Sequence, residues 1–186
     1  MAKQFLALEP AHRDFIERQH MFFTAAGAAD GRINLSPKGL DGLRVLTPNS
    51  VAYLDHTGSG NETAALLRAD GRLTIMFCAF EGPPLILRLY GRGRVLPRGS
   101  LRYNEILANS FNGQEPIGIR HMIELEFDLV QTSCGFGVPL YDYKEERTAL
   151  TRWAETQGKD GLKTYRHEKN MTSMDGRPTG LVEEDN

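Results

Sequence analysis

The sequence predicts a mainly β protein in which about six antiparallel strands form a barrel, with helices between and beside them. Most of its alternating apolar segments follow one another through short turns that contain Gly or Pro, as strands joined in hairpins do. One long strand-like segment, 85–96, contains Gly91 and Gly93, which allow the bend or bulge by which a sheet curls. The regular alternation of strands and helices that is typical of a doubly wound sheet is not seen.

Length and composition favour one domain. The chain has 186 residues and a net charge of -2, without a basic run that would indicate nucleic acid as a partner. Its apolar runs are too short to cross a bilayer, and the N-terminus lacks an apolar signal core, so we expect a cytoplasmic protein with no membrane partner. We predict a domain over 1–157 and a polar C-terminal tail over 158–186 that lies along another surface or is mobile.

The N-terminal half begins with an amphipathic helix over 10–20 and a hairpin over 21–36. In the second strand of the hairpin, Ile33 and Leu35 fall on one face, which we expect to face the core. The opposite face carries Asn34 and Ser36, and it forms either a row of hydrogen-bond donors or an ordinary solvated sheet face.

The later segments complete the predicted sheet. The nearly continuous apolar run 72–80 suits a strand buried on both sides and is predicted to be central. Residues 101–109 and 145–156 are predicted helices, and 121–130 alternates as a strand with one polar side.

A glycine-containing turn between a strand and a helix is the most informative stretch. The strand 51–55 passes through Gly58 and Gly60 into a helical run, and Ser59 with Glu62 forms a capping-box pattern in which Ser59 is the N-cap. Backbone N–H groups at such a helix start can bind a phosphate, although Gly and Ser also occur in these turns for conformational reasons alone. Neither a P-loop nor a dinucleotide-binding fingerprint is present.

Other chemistry is not indicated by the residues. The five histidines are dispersed without ligand spacing, no nucleophile elbow exists, and the two cysteines fit reduced thiols better than a catalytic pair. Arg88, Arg92 and Arg94 share one strand face, where a solvated role and an anion-facing role are equally compatible with the pattern.

Several segments, in this order, resemble the pyridoxamine 5′-phosphate oxidase-related, FMN-binding split-barrel family. They are Gly31–Gly39, Tyr53–Thr63, Met76–Phe80, Leu89–Val95 and Ser133–Pro139. The resemblance covers about residues 10–157. It implies a six-stranded split barrel that forms a homodimer, with FMN in a cleft between two subunits and a small-molecule substrate.

The resemblance also assigns candidate cofactor-binding residues. Those similar to the strand beside the flavin ring are Asn34, Leu35, Ser36 and Lys38. Those similar to the neighbouring strand end are Tyr53, Leu54 and Asp55, and those similar to the phosphate-binding helix start are Ser59, Gly60, Asn61, Glu62 and Thr63. The oxidase itself has a Ser-Arg-Lys triplet at that turn, whereas this sequence offers no cation there. Amides and hydroxyls would then hold the phosphate, with help from Arg92, Arg94 or Lys38.

The function implied by the resemblance is an FMN-dependent oxidoreductase that transfers a hydride between FMN and a small organic substrate or a reduced nicotinamide. Two alternatives stay open, a deazaflavin-dependent reductase and a non-catalytic flavin- or haem-binding protein. The C-terminal substrate motif of the oxidase is not found, so the substrate is left open. No side chain is predicted to act as a catalytic acid or base, since a flavin carries the redox chemistry itself.

Overall fold

A computed structural model describes residues 2–182, in which eight strands form one antiparallel sheet. The strands are β1 (Lys3–Phe5), β2 (Phe22–Ala26), β3 (Asn34–Lys38), β4 (Leu43–Thr47), β5 (Ser50–His56), β6 (Arg72–Cys78), β7 (Ile86–Pro97) and β8 (Ile119–Ser133). The helices are α1 (Pro10–Glu17), α2 (Glu62–Ala69), α3 (Leu101–Ser110) and α4 (Ala149–Lys169). The strand order is β3-β2-β6-β7-β8-β5-β4, and β1 pairs with β8.

This architecture confirms the predicted antiparallel, mainly β class with flanking helices, but two details differ. The sheet has eight strands where about six were expected, because the short β1 and β4 also pair into it. The apolar strand β6 is not central. The middle position belongs to β7, since β7 and β8, with 12 and 15 residues, are long enough to pair with neighbours along the whole sheet.

The sheet encloses a main hydrophobic core and carries a second one on its outside. The main core is made by side chains of β2, β5, β6, β7 and β8 with helices α1 and α2, whereas α3 covers the outer face of β5 and β8. The predicted irregularity near Gly91 is confirmed by a register shift between Tyr90 and Gly91. A Cβ at Gly91 would lie 2.0 Å from the carbonyl oxygen of Glu126, so a side chain there would force the two strands apart.

The polarity of the β3 region is the reverse of the prediction. Ile33 and Leu35 are 78% and 65% exposed, while Asn34 and Ser36 on the other face are half-buried. β3 is an edge strand with β2 as its partner within the sheet, and its polar face is the one that turns toward α2. The apolar face is therefore presented outward by this single chain.

The start of α2 was predicted wrongly. The N-cap is Asn61 rather than Ser59, and no side chain accepts a capping hydrogen bond there. The loop before the helix is held by tertiary contacts instead: the Gly60 carbonyl accepts from Arg120 at 2.7 Å, and the Gly58 carbonyl accepts from Asn170 at 3.0 Å.

The helix predicted over 145–156 is α4, which starts four residues later than predicted and continues beyond the expected end. α4 runs on to Lys169 through a kink at Gly158, where φ is 63°. Leu162, Arg166 and Asn170 are buried against the rest of the chain, and residues 170–182 then turn back along the first turn of α2. The segment that was expected as a polar tail is thus attached to the domain through residue 182. In the described part of the chain, no helix is long and apolar enough to cross a membrane.

Candidate anion-binding site

A polar cavity of about 370 Å³ lies where β3, the end of β5 and the first turn of α2 meet. It is bordered by hydroxyl, amide and charged side chains from segments that are far apart in the sequence. These include Asn34, Ser36, Lys38, Asp55, Ser59, Glu62, Thr63 and Arg120. The strand pairing of β2 with β3 and of β5 with β8 brings them together.

The Asp55 carboxylate is the centre of the charged groups beside this cavity. It is 1% exposed, and its two oxygens lie 2.6 Å from Lys38 Nζ and 2.8 Å from Arg120 Nε. Its strand partner His121 places Nε2 3.0 Å from Oδ2. Three nitrogen-bearing groups therefore converge on one buried carboxylate, which compensates for its lost hydration.

These neighbours set the protonation states. Burial alone would raise the pKa of Asp55, but Arg120 and then Lys38 and His121 hold it well below its usual range. Burial lowers the pKa of His121, and Arg120 and Lys38 add to this, against the opposing effect of Asp55. At neutral pH the cluster thus consists of a carboxylate, two cations and a neutral imidazole, with a net charge of +1.

Arg120 is the more buried of the two cations, Lys38 and Arg120, that line the cavity. Its side chain is 4% exposed, and its Nη1 donates to the Gly60 carbonyl and to Asn170 Oδ1 at 2.7 and 2.8 Å. A guanidinium has five N–H donors, and the hydrogen bonds of Nε and Nη1 to described residues use three. Nη2, which lies 2.8 Å from Asp55 Oδ2, therefore keeps a donor for another acceptor.

Neutral donors and one acid complete the wall. Asn34 Nδ2 is 3.1 Å from both Ser36 Oγ and Thr63 Oγ1, so β3 is linked directly to the first turn of α2. The Glu62 carboxylate accepts from the backbone N–H of Met174 at 3.0 and 3.2 Å. The cavity thus combines amide and hydroxyl groups, a guanidinium and a helix N-terminus, which is a donor set suited to an oxyanion, with Glu62 as an opposing charge.

Most predicted site residues line this cavity. They are Asn34, Ser36, Lys38, Leu54, Asp55, Ser59, Gly60, Glu62 and Thr63.

The other four lie elsewhere. Leu35 points outward from β3, and Tyr53 is in the main core, where its ring lies 5.7 Å from Lys38 Nζ. The Asn61 side chain is buried and donates to the Asn170 carbonyl, and Arg92 donates to the Asp70 carbonyl and borders a different depression.

The sequence reasoning did not find Arg120, Asn170 or His121 as parts of this region. Arg120 is not preceded or followed by any motif. It lies at the irregularity between the pairs Asp55–His121 and His56–Ile119, and this position opposite the end of β5 brings it to Asp55. The sequence named Arg92, Arg94 or Lys38 as cations that help the turn at 58–63. Of these, Lys38 borders the cavity, and Arg120, which was not named, donates to the Gly60 carbonyl. Arg94 lies on the other side of the sheet, paired with Glu124 and Glu126.

A larger apolar cleft of about 1000 Å³ adjoins the cavity and shares Pro37, Lys38, Gly39, Leu40 and Leu150 with it. Two aromatic stacks border this cleft: His20 with Tyr143, with centroids 3.6 Å apart, and Phe80 with Tyr141, at 5.4 Å. The cavity and the cleft together have a polar end and an apolar end.

Comparison with known proteins identifies the family. Residues 8–134 match the family model described as pyridoxamine 5′-phosphate oxidase. The chain belongs to this family. A curated relative, the pyridoxamine 5′-phosphate oxidase family protein ustO of Aspergillus flavus, is 40% identical over 182 residues, which covers 89% of this chain and 73% of the relative.

Solved structures support the same fold at lower identity. HupZ from Group A Streptococcus has a TM-score of 0.52 at 19% identity, covering 66% of this chain and 91% of HupZ. A Lactobacillus delbrueckii protein, solved as a candidate pyridoxamine 5′-phosphate oxidase, has a TM-score of 0.53 at 16% identity, covering 68% and 94% of the two chains. These similarities concern the fold of this family member and not its activity.

Proposed function

We propose that this member of the pyridoxamine 5′-phosphate oxidase family is an FMN-dependent oxidoreductase that acts on a small organic substrate or a reduced nicotinamide. The observation that carries the proposal is that Arg120, which keeps one N–H donor on Nη2, lines a cavity together with Asn34, Ser36 and Thr63. A phosphate monoester needs several converging donors and at least one cation, and this wall provides both.

The polar cavity and the apolar cleft together match both the phosphate and the ring of FMN. The polar cavity continues into the apolar cleft past Lys38 and Leu40, so a ligand could reach from the donors to the aromatic stacks. A flavin requires this pairing of a polar and an apolar end. When bound, FMN would supply the hydride chemistry, while the residues of this chain would hold the phosphate and exclude water from the ring.

We propose that the protein works as a homodimer. Ile33 and Leu35 form an exposed apolar pair at the edge of the sheet, next to the cavity-facing residues of β3. A second copy packed on this edge would cover them and would border the same site. We expect the purified protein to elute at twice the chain mass, without concentration dependence.

The proposal is tested by titrating FMN into the purified protein and following flavin fluorescence. The wild type should bind FMN. The double variant Ser36→Ala, Thr63→Val removes two hydroxyls from the cavity wall and should weaken FMN binding by about 1–3 kcal/mol. Arg92→Ala is the matched control, because Arg92 borders a different depression, and it should bind FMN as the wild type does.

Activity and cofactor identity need separate measurements. Anaerobic NADH or NADPH should bleach the bound flavin, and oxygen should restore its colour. If the protein binds FMN but NADH and NADPH do not reduce it, the protein is a flavin carrier. If it binds a deazaflavin or haem more tightly than FMN, that compound replaces FMN as the proposed ligand. A protein that binds none of these ligands contradicts the proposed function altogether.

A further inference from the structure

The residues after α4 form a short hairpin, residues 170–179, that we call the C-terminal hairpin. Its two arms are joined by a bridge between Thr172 and Pro178 and by a hydrogen bond from Thr179 N to the Met171 carbonyl at 3.0 Å. It is attached at its tip to the loop before β3, because Asp175 pairs with Arg32 and Arg177 pairs with Asp30. The hairpin therefore crosses from α4 to the edge of the sheet over the start of α2.

Asn170, at the base of the hairpin, is fully buried and hydrogen-bonded through every polar group it has. Its Oδ1 accepts from Arg120 Nη1 at 2.8 Å, and its Nδ2 donates to the Gly58 carbonyl at 3.0 Å. Its backbone carbonyl accepts from Asn61 Nδ2 and from Thr179 Oγ1, at 3.3 and 2.7 Å. One side chain thus connects the guanidinium of the anion cavity to the glycine loop that forms its other wall.

The chemical type of this side chain matters. An amide oxygen fixes the orientation of Arg120 without cancelling its charge, while the amide N–H₂ satisfies the Gly58 carbonyl. A carboxylate at this position would pair with Arg120 as a second anion beside Asp55 and would lose the donor to Gly58. The arginine would then have less positive charge available to a ligand.

We infer that Asn170 is a positioning residue for Arg120 and that, through Asn170, the C-terminal hairpin supports two parts of the cavity wall, Arg120 and the loop at Gly58, so that phosphate-bearing ligands depend on it. This inference rests on the proposed function for the identity of the ligand, but its geometry concerns any phosphate in the cavity. We therefore expect the hairpin to affect the binding of the FMN phosphate and to leave the binding of the ring unchanged.

The test compares FMN with riboflavin, which has the same ring and no phosphate, in wild type and Asn170→Asp. Loss of one charge-assisted contact predicts that Asn170→Asp weakens FMN binding about 10- to 100-fold, because the effective charge of Arg120 falls. Riboflavin binding should change by less than about twofold. Asn170→Ala, which removes the contact without adding a charge, should lie between wild type and Asn170→Asp.

Asn104→Asp is the matched control. It introduces the same charge on the exposed face of α3, where Asn104 donates to the Gly99 carbonyl and contacts none of the cavity residues. FMN affinity should stay at the wild-type value in this variant. Equal weakening of FMN and riboflavin in Asn170→Asp, or unchanged FMN affinity, would overturn the inference and leave the proposed function standing.

A phosphate compound without a ring distinguishes failure of the proposed FMN function from failure of the inference about Asn170. If wild type binds neither flavin, the proposed function fails, and the melting temperature is then measured with inorganic pyrophosphate. A rise in the wild type that is lost in Asn170→Asp and kept in Asn104→Asp would still support the inference. If pyrophosphate does not raise the melting temperature of the wild type, the inference fails as well.

Discussion

Two buried carboxylates on the paired strands β5 and β8 show what distinguishes a site from a surface ion pair. Asp55 and Glu124 are each 1% exposed, and each is held by two cations. The partners of Glu124 are Arg94 and Arg102, which are 54% and 38% exposed, with contacts of 2.9 and 2.8 Å. The partners of Asp55 are Lys38 and Arg120, which are 22% and 4% exposed.

The difference lies in what surrounds the cations. Arg94 and Arg102 can turn into water, which hydrates and screens them, so these two arginines would tolerate the loss of the Glu124 charge. Arg120 has no such alternative, and its charge is available only to Asp55 and to whatever enters the cavity. The same local chemistry therefore makes a surface cluster on one face of the sheet and the candidate anion site on the other.

The comparison is tested most strongly by Asp55→Asn. This substitution leaves Arg120 buried without its counter-charge, and we expect a loss of about 3–5 kcal/mol in the free energy of unfolding. Urea unfolding followed by circular dichroism measures it. A loss below about 1 kcal/mol would mean that Arg120 reaches solvent easily and that the two clusters do not differ in kind.

The pH dependence of stability is the second test. Burial lowers the pKa of both His121 and His56, so the unfolded chain binds more protons than the folded chain below about pH 6.5. Stability should therefore be complete above this pH and fall as the pH decreases through the folded pKa values. The slope should reach up to about 1.4 kcal/mol per pH unit for each histidine.

The variant His121→Gln measures how much the cluster around Asp55 contributes to the pH dependence of stability. It should flatten the slope of unfolding free energy between about pH 6.5 and 5. Asp55 and Glu124, whose pKa values are lowered in the folded state, contribute to the slope only at lower pH, because the carboxyl groups of the unfolded chain bind protons only below about pH 5. Denaturant unfolding at half-unit pH steps measures the slope. An unchanged slope in His121→Gln would show that His121 is not the buried neutral group described above.

Glu124→Gln should have the smallest effect of the three. The amide oxygen keeps the hydrogen bond from one of the two arginines, and both arginines can be hydrated, so we expect a loss of about 1 kcal/mol. FMN affinity should remain that of the wild type. A loss as large as that of Asp55→Asn would show that the exposure of the arginines does not decide the strength of these clusters.

Short-range sequence patterns were sufficient to predict much of the fold and some of the residues that line the candidate site. The hairpin of β2 and β3, the strand-to-helix passage after β5 and the irregularity at Gly91 were all predicted, because each depends on neighbours in the sequence. The outward position of Ile33 and Leu35 was not, because alternation defines two faces without saying which one the core takes. The helical path beyond Gly158 was also missed, since its polar composition resembles that of a tail.

By itself, the sequence determined an antiparallel, mainly β family member and the polar face of β3 with the turn at 58–63, because these follow from periodicity, turn residues and motif order. Only the tertiary structure decided which cation contacts that turn. Arg120 lies 60 residues from Gly60 and Asn170 lies 109 residues from Asn61. Arg120 reaches the cavity from the start of β8, and the return of the chain after α4 brings Asn170 against Arg120. Contacts between such distant residues are fixed by packing of the whole chain, for which short-range spacing carries no signal.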